Sequence, residues 1–251
     1  FEQLCQLDVA SISDIGPEKK PDIRIVGSLK LNAFSTPVDE TFADQLRVAA
    51  GSRPIVLAAS THSPEEQILL KASQEVVRAG YPHLLIIAPR HSDRSQDIAR
   101  LMPQAAHRSK NQLPLLGDNH FLADSFGEMS SLITAADIVI LGGSFVPKGG
   151  HNPLEIAALS TPLITGPSQF KNKVEFDTLQ QYGQCITVKD GATLVKQLTI
   201  WLEALRTDGR AIPQDNLDKA CAYVKQACER PAKTARLIID RLPTQHHPNQ
   251  N

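Results

Sequence analysis

Short runs of apolar residues recur along the chain, each bounded by polar or glycine-rich punctuation and each followed by a stretch of helical period. Ile23–Val26, Pro54–Ala59, Leu84–Ala88, Ile138–Leu141, Leu163–Thr165 and Cys185–Val188 read as strands, with Leu113–Leu116 as a further short candidate. Helices are predicted over 41–50, 64–79, 92–101, 130–136, 154–159, 171–181, 192–205 and 216–229, with a last one after Pro231 running to 241. Apolar runs without alternation mark strands buried on both faces. Alternating with amphipathic helices, they predict an α/β chain: a Rossmann-like, doubly wound parallel sheet of about six strands. Residues 1–22 read as the tail of, or linker from, a preceding domain, 23–242 as the Rossmann-like domain, and 243–251 as a polar tail. The opening FEQLCQLDVASISDIG suggests a piece of a longer protein whose remainder could carry a membrane anchor.

In such sheets ligands bind beyond the carboxyl ends of the strands, near the point where strand order reverses. Polar clusters follow those ends here: Ser60-Thr61-His62-Ser63, Pro89-Arg90-His91 and Gly142-Gly143-Ser144. The densest stretch runs from Ile138 to Pro167. There Gly149-Gly150 leads into His151-Asn152-Pro153, Asn being a favoured helix cap and Pro suited to the first helical position. Leu154–Leu159 should then be helical, with Glu155 in its first turn, where a carboxylate can accept hydrogen bonds from sugar hydroxyls. Bare amides at that helix start would favour an anion. One glycine pair alone reads as a tight turn; two pairs, a capped helix and an early acid point to a ligand.

Composition narrows the partner. A net charge of −1 (26 basic, 27 acidic residues) and 5% aromatic content argue against a nucleic-acid surface. No apolar run approaches the roughly 20 residues that span a bilayer. Cys5, Cys185, Cys221 and Cys228 lack metal-ligand spacing, and no cofactor or metal cluster is predicted. Cys221 and Cys228, seven apart, fall on one helix face and read as buried reduced thiols, which suits a cytoplasmic setting.

Arg90 can fork onto an anion or pair locally with Asp93; His62 and His91 can orient an anion or cap turns. Phe126 and Met129, in the loop Asp124–Met129, can pack on a flat base or belong to the core. Lys148 reads as solvated. Ser144 lacks the G-x-S-x-G frame of a nucleophile elbow, and GGSFVPKGG is neither a P-loop nor a dinucleotide fingerprint.

GGSFVPKGGHNPLEIAALSTPLITGP closely resembles the signature of the 3-deoxy-D-manno-octulosonic acid (Kdo) transferases. VGSLKLN at 26–32, AASTHSPEE at 58–66, APRH at 88–91 and DSFGEM at 124–129 follow in the family's order. The resemblance spans about residues 26–188. It implies the C-terminal, donor-binding domain of a GT-B glycosyltransferase that moves Kdo from CMP-Kdo to the lipid A precursor (lipid IVA), with inversion, at the cytoplasmic face of the bacterial inner membrane. It assigns CMP-Kdo contacts to Ser60, His62, Pro89, Arg90, Phe126, Gly127, Glu128, Met129, Gly149, Gly150, His151, Asn152, Pro153, Leu154 and Glu155. Lys30 would steady the transition state. It implies no metal, a catalytic base and an acceptor site in an N-terminal domain outside this chain, and an isolated chain that binds CMP without transferring sugar. Two other readings stay open: half of a UDP-sugar GT-B enzyme, and a non-catalytic nucleotide-binding module.

Overall fold

A computed structural model describes residues 37–239. Of these, residues 37–229 belong to one compact unit. Within it, elements run α1 (Glu40–Ala50), β1 (Ile55–Thr61), α2 (Glu65–Arg78), β2 (Leu84–Pro89), α3 (Ser95–Leu101), β3 (Ala106–His107) and β4 (His120–Leu122). They continue α4 (Met129–Ala135), β5 (Ile138–Leu141), α5 (Leu154–Ala158), β6 (Leu163–Thr165), α6 (Lys173–Gln181), β7 (Cys185–Thr187), α7 (Gly191–Asp208) and α8 (Gln214–Cys228). A further helix, α9 (Arg230–Ile239), lies outside that unit.

All seven strands pair in parallel, in the order β3-β4-β2-β1-β5-β6-β7. Ile55, Leu57 and Ala59 pack into the layer of α1, α4, α5, α6 and α8, while Val56 and Ala58 face α2, α3 and α7. Both faces are covered, which is why the strands read as unbroken apolar runs. From β1 the chain winds outward through β2, then returns to β5 on the other side, so β1 and β5 flank the switch point. Asp137 pins this centre from below, accepting from the Ile55 amide at 2.8 Å and from Arg47 Nη1 at 2.7 Å.

Three expectations are corrected. Leu113–Leu116 is not a strand: Pro114 interrupts it, no strand among the described residues pairs with it, and Leu115 and Leu116 are 73% and 77% exposed. The edge of the sheet is instead built from β3 and β4, whose two and three residues carry too little periodicity to read. Residues 92–101 divide into a 3₁₀ turn (Ser92–Arg94) and α3. Of the cysteines, Cys185 is buried, Cys221 half-buried and Cys228 exposed, so the expected buried pair on α8 is not formed. The strand expected at 23–26, the segment 26–32 with Lys30, Cys5, and the tail 243–251 lie outside the described residues. Among the described residues no helix is long and apolar enough to cross a membrane.

Candidate functional site

Three neighbouring strand ends build the site. The register pairs Ala59 with Leu141 and Thr61 with Pro89, so the loops after β1, β2 and β5 emerge side by side, and the Arg90 amide donates to the Thr61 carbonyl at 3.0 Å. The β1 ladder shifts register between Ala59 and Thr61, and Ser60 takes a left-handed φ of 55°. The loop after β5 passes against it so closely that a Cβ on Gly142 would lie 2.3 Å from the Ser60 carbonyl oxygen. Only glycine fits this crossing.

Glu65 locks the crossing in place. Its carboxylate, 0% exposed, accepts from the amides of His62 (2.8 Å) and Gly143 (2.8 Å) through Oε2, and of Ser144 (3.0 Å) and Phe145 (2.9 Å) through Oε1. The glycine turn after β5 thus makes an anion cradle that the protein fills itself. Glu66, beside it, takes a two-pronged bond from Arg94 (2.7 and 2.9 Å) and a bond from Thr61 Oγ1 at 2.8 Å. Burial opposes its charge, but those bonds outweigh burial and hold its pKa below the ordinary value. Ser144 is buried and donates to the Leu141 carbonyl, which removes it as a nucleophile.

Above this floor lie three histidines. His62 Nε2 is 2.9 Å from His151 Nε2, the two rings stacking at 5.1 Å between centroids, and His91 meets His62 edge-on at 5.6 Å. Burial lowers the pKa of His151 to about 4, assisted by His62, Arg90, Lys171 and His91. Burial likewise lowers that of His62, assisted by His91, Lys148 and Arg94 and opposed by Glu66. The exposed Arg90 guanidinium has no hydrogen-bond or ion-pair partner among the described residues; Asp93 does not take it.

The expectation of bare amides from Gly149 onward is corrected. Gly149 N donates to Ser168 Oγ (3.0 Å), Gly150 N to the Gly143 carbonyl (2.8 Å) and His151 N to the Gly142 carbonyl (3.4 Å). A loop enclosed by neighbouring strand ends has to satisfy its amides internally. Asn152 Oδ1 accepts from the Leu154 amide at 3.1 Å, but α5 starts at Leu154, so Pro153 (φ −81°) rather than Asn152 stands at its N-cap position. Glu155 is half-buried, which raises its pKa, and Ser130 Oγ donates to its Oε1 at 3.1 Å. That bond joins the α5 start to the first turn of α4, just after the loop 124–129.

In that loop Phe126 is 73% exposed, so of the pair Phe126 and Met129 only Met129 packs on the core. Phe126 walls a cleft of about 760 Å³ shared with Ser92, Asp93, His107 and Lys110. The Glu128 carboxylate is committed: Arg108 Nε lies 2.9 and 3.0 Å from its two oxygens and Ser125 Oγ also donates. Burial opposes ionisation there too, but these donors prevail and keep the pKa low. Asp124 accepts from the amide and hydroxyl of Ser109, both at 2.8 Å. Among the described residues no group of three or more His, Cys, Asp or Glu is placed to hold a metal ion.

Sequence reasoning placed Glu65 at the opening of a helix and gave it no role, and it gave none to the loop after β6. There Lys171 lies near enough to depress His151, Phe170 covers Gly149, and Asn172 Nδ2 donates to the Gly150 carbonyl at 3.1 Å. The one available signal was Gly166-Pro167 at a strand end.

No family model matches the chain. Among curated proteins, the 3-deoxy-D-manno-octulosonic acid transferase of Haemophilus influenzae is 39% identical over 157 residues, covering 60% of this chain and 36% of that protein. The enzyme of the same name from Rickettsia conorii is 32% identical over 183 residues, covering 71% and 39%. Among solved structures, the C-terminal CMP-Kdo binding domain of WaaA from Acinetobacter baumannii superposes with a TM-score of 0.62 at 27% identity, covering 74% of this chain and 98% of that domain. The chain is a homologue of the Kdo transferases. It spans less than half the length of these curated Kdo transferases. Its fold is the Rossmann-like, doubly wound sheet of a GT-B glycosyltransferase domain, as the motif resemblance implied.

Proposed function

We propose that this chain is the CMP-Kdo-binding part of a Kdo transferase that delivers Kdo, with inversion, to the lipid A precursor at the cytoplasmic face of the inner membrane. The observation that carries the reading is an Arg90 guanidinium without a hydrogen-bond or ion-pair partner among the described residues, set beside His62, His91, His151, Lys148 and Lys171, one short loop from the half-buried Glu155. Cations at one end and a hydroxyl acceptor at the other suit a molecule with a phosphate next to a ribose. Glu155 would accept from the ribose hydroxyls, while Phe126 and the backbone of Gly127–Met129 would meet the cytosine. As the bond between Kdo and CMP breaks, negative charge grows on the phosphate. Arg90 and the neighbouring cations would stabilise it in a partly desolvated setting, where losing one such group costs roughly 3–4 kcal/mol. Lys30 would add to this stabilisation, and the base that deprotonates the acceptor hydroxyl would come from outside this chain, as would the acceptor site and any membrane contact.

Calorimetric titration tests the reading. CMP should bind the chain, and Arg90→Ala should weaken it about 10- to 100-fold, the range for a charge-assisted bond. Glu155→Ala should also weaken it, and neither change should shift thermal unfolding. UDP binding as tightly as CMP would favour a UDP-sugar enzyme instead; no nucleotide affinity would favour a non-catalytic module. The chain alone should release no Kdo-lipid product.

A further inference from the structure

An anion reaching this end of the sheet finds the amides of Gly143, Ser144 and Phe145 already occupied by Glu65, so it must be met by side chains. The groups facing the His62–His151 pair are His91 and Arg90 from the end of β2, Arg94 from the turn after it, Lys148 from the glycine loop and Lys171 from the loop after β6. The nearby acids are both spent, Glu66 on Arg94 and Thr61, and Glu65 on four amides. At 2.9 Å the two Nε2 atoms can hold only one proton between them, one ring donating and the other accepting. Both Nδ1 atoms lack a hydrogen-bond partner among the described residues. In the neutral pair the accepting ring already carries its own proton on Nδ1, so a further proton must enter at the Nδ1 of the donating ring and turn the pair into a cation. Burial and the ring of surrounding cations resist that step, holding His151 down to about 4. A docked anion reverses the balance, because it sits among the same cations and makes a further positive charge favourable.

We propose that His62 and His151 form a proton-coupled anion subsite, taking one proton from solvent when a phosphate or carboxylate group docks beside them. The subsite deepens the CMP-Kdo reading and rests on it for the source of the anion. That molecule carries a phosphate and a carboxylate on either side of the bond that breaks. The pair would let the site adjust its charge to the ligand: neutral when empty, cationic when filled.

Sulfate is the probe, since it does not titrate near neutrality. Ring-resolved NMR of the full chain should show the His62–His151 titration midpoint rising by at least about one unit under saturating sulfate. Sulfate affinity should fall as pH rises from below the free midpoint to above the shifted one, in all by about tenfold for each unit the midpoint moves, as linkage to one proton requires, and become nearly flat in His151→Asn and His62→Asn. Midpoints that stay put while sulfate binds, no sulfate binding at all, or a pH slope retained in both variants would each overturn the proposal. The wild-type NMR measurement holds even if a variant folds poorly. Repeating it with CMP and with free Kdo names the group: whichever moves the midpoint supplies the anion, and binding of both without movement refutes the coupling. CMP binding with unmoved histidines would sink the subsite and leave the proposed function standing; sulfate-coupled uptake without CMP affinity would do the reverse.

Discussion

Replacing Glu65 by glutamine preserves the size of the side chain and removes half of what it does. Oε2 accepts from His62 and Gly143, Oε1 from Ser144 and Phe145. A glutamine carbonyl can keep one of these pairs, but its NH₂ group must then point two protons at two amide N–H groups. An unsatisfied buried donor costs about 1–3 kcal/mol, so Glu65→Gln should destabilise by about 2–6 kcal/mol. Glu65→Ala strands all four amides and approaches the stability of a whole domain, about 5–15 kcal/mol. Urea unfolding gives the midpoint shift, and amide hydrogen exchange localises it: protection at Gly143, Ser144 and Phe145 should collapse before that of β1 or β2. A Glu65→Gln protein within about 1 kcal/mol of wild type would refute the view that this carboxylate holds the two loops together.

Gly142→Ala should be among the most damaging single-methyl additions, because its Cβ would meet the Ser60 carbonyl at 2.3 Å and the Thr61 Cα at 2.6 Å. Loss of soluble folded protein or a Tm drop of several degrees is expected, and an unchanged Tm would contradict the crossing. Stability should also fall in mild acid. His83 is buried, its pKa lowered by burial, with Ser73 Oγ at 2.8 Å from Nε2 and the Tyr81 carbonyl at 3.0 Å from Nδ1. The unfolded chain protonates near the ordinary value of 6.5 while the folded chain resists, so the contribution is complete above that pH and lost as pH falls below it. The slope approaches about 1.4 kcal/mol per unit for such a histidine, and His83→Gln should flatten it in urea titrations at several pH values.

The central strands were legible because a strand covered on both faces must be apolar at every position, and Ile55–Ala59, Leu84–Ala88 and Ile138–Leu141 meet that demand locally. The start of α5 was legible to within a residue for a similar reason, since Asn152 and Pro153 act within two or three residues of themselves. Motif order carried the family. What the sequence by itself determined is therefore whatever neighbouring residues settle between them: parallel-sheet architecture, helix starts, and Arg90 and Glu155 as charges near strand ends. Tertiary structure alone decided the rest. It brought His62 within 2.9 Å of His151 across 89 residues, spent Glu65 on amides 78 to 80 residues away, and closed the Gly149–His151 amides that looked open. A buried donor or charge takes whichever partner the packing delivers, and that partner is set by strand order rather than by anything written beside it in the chain.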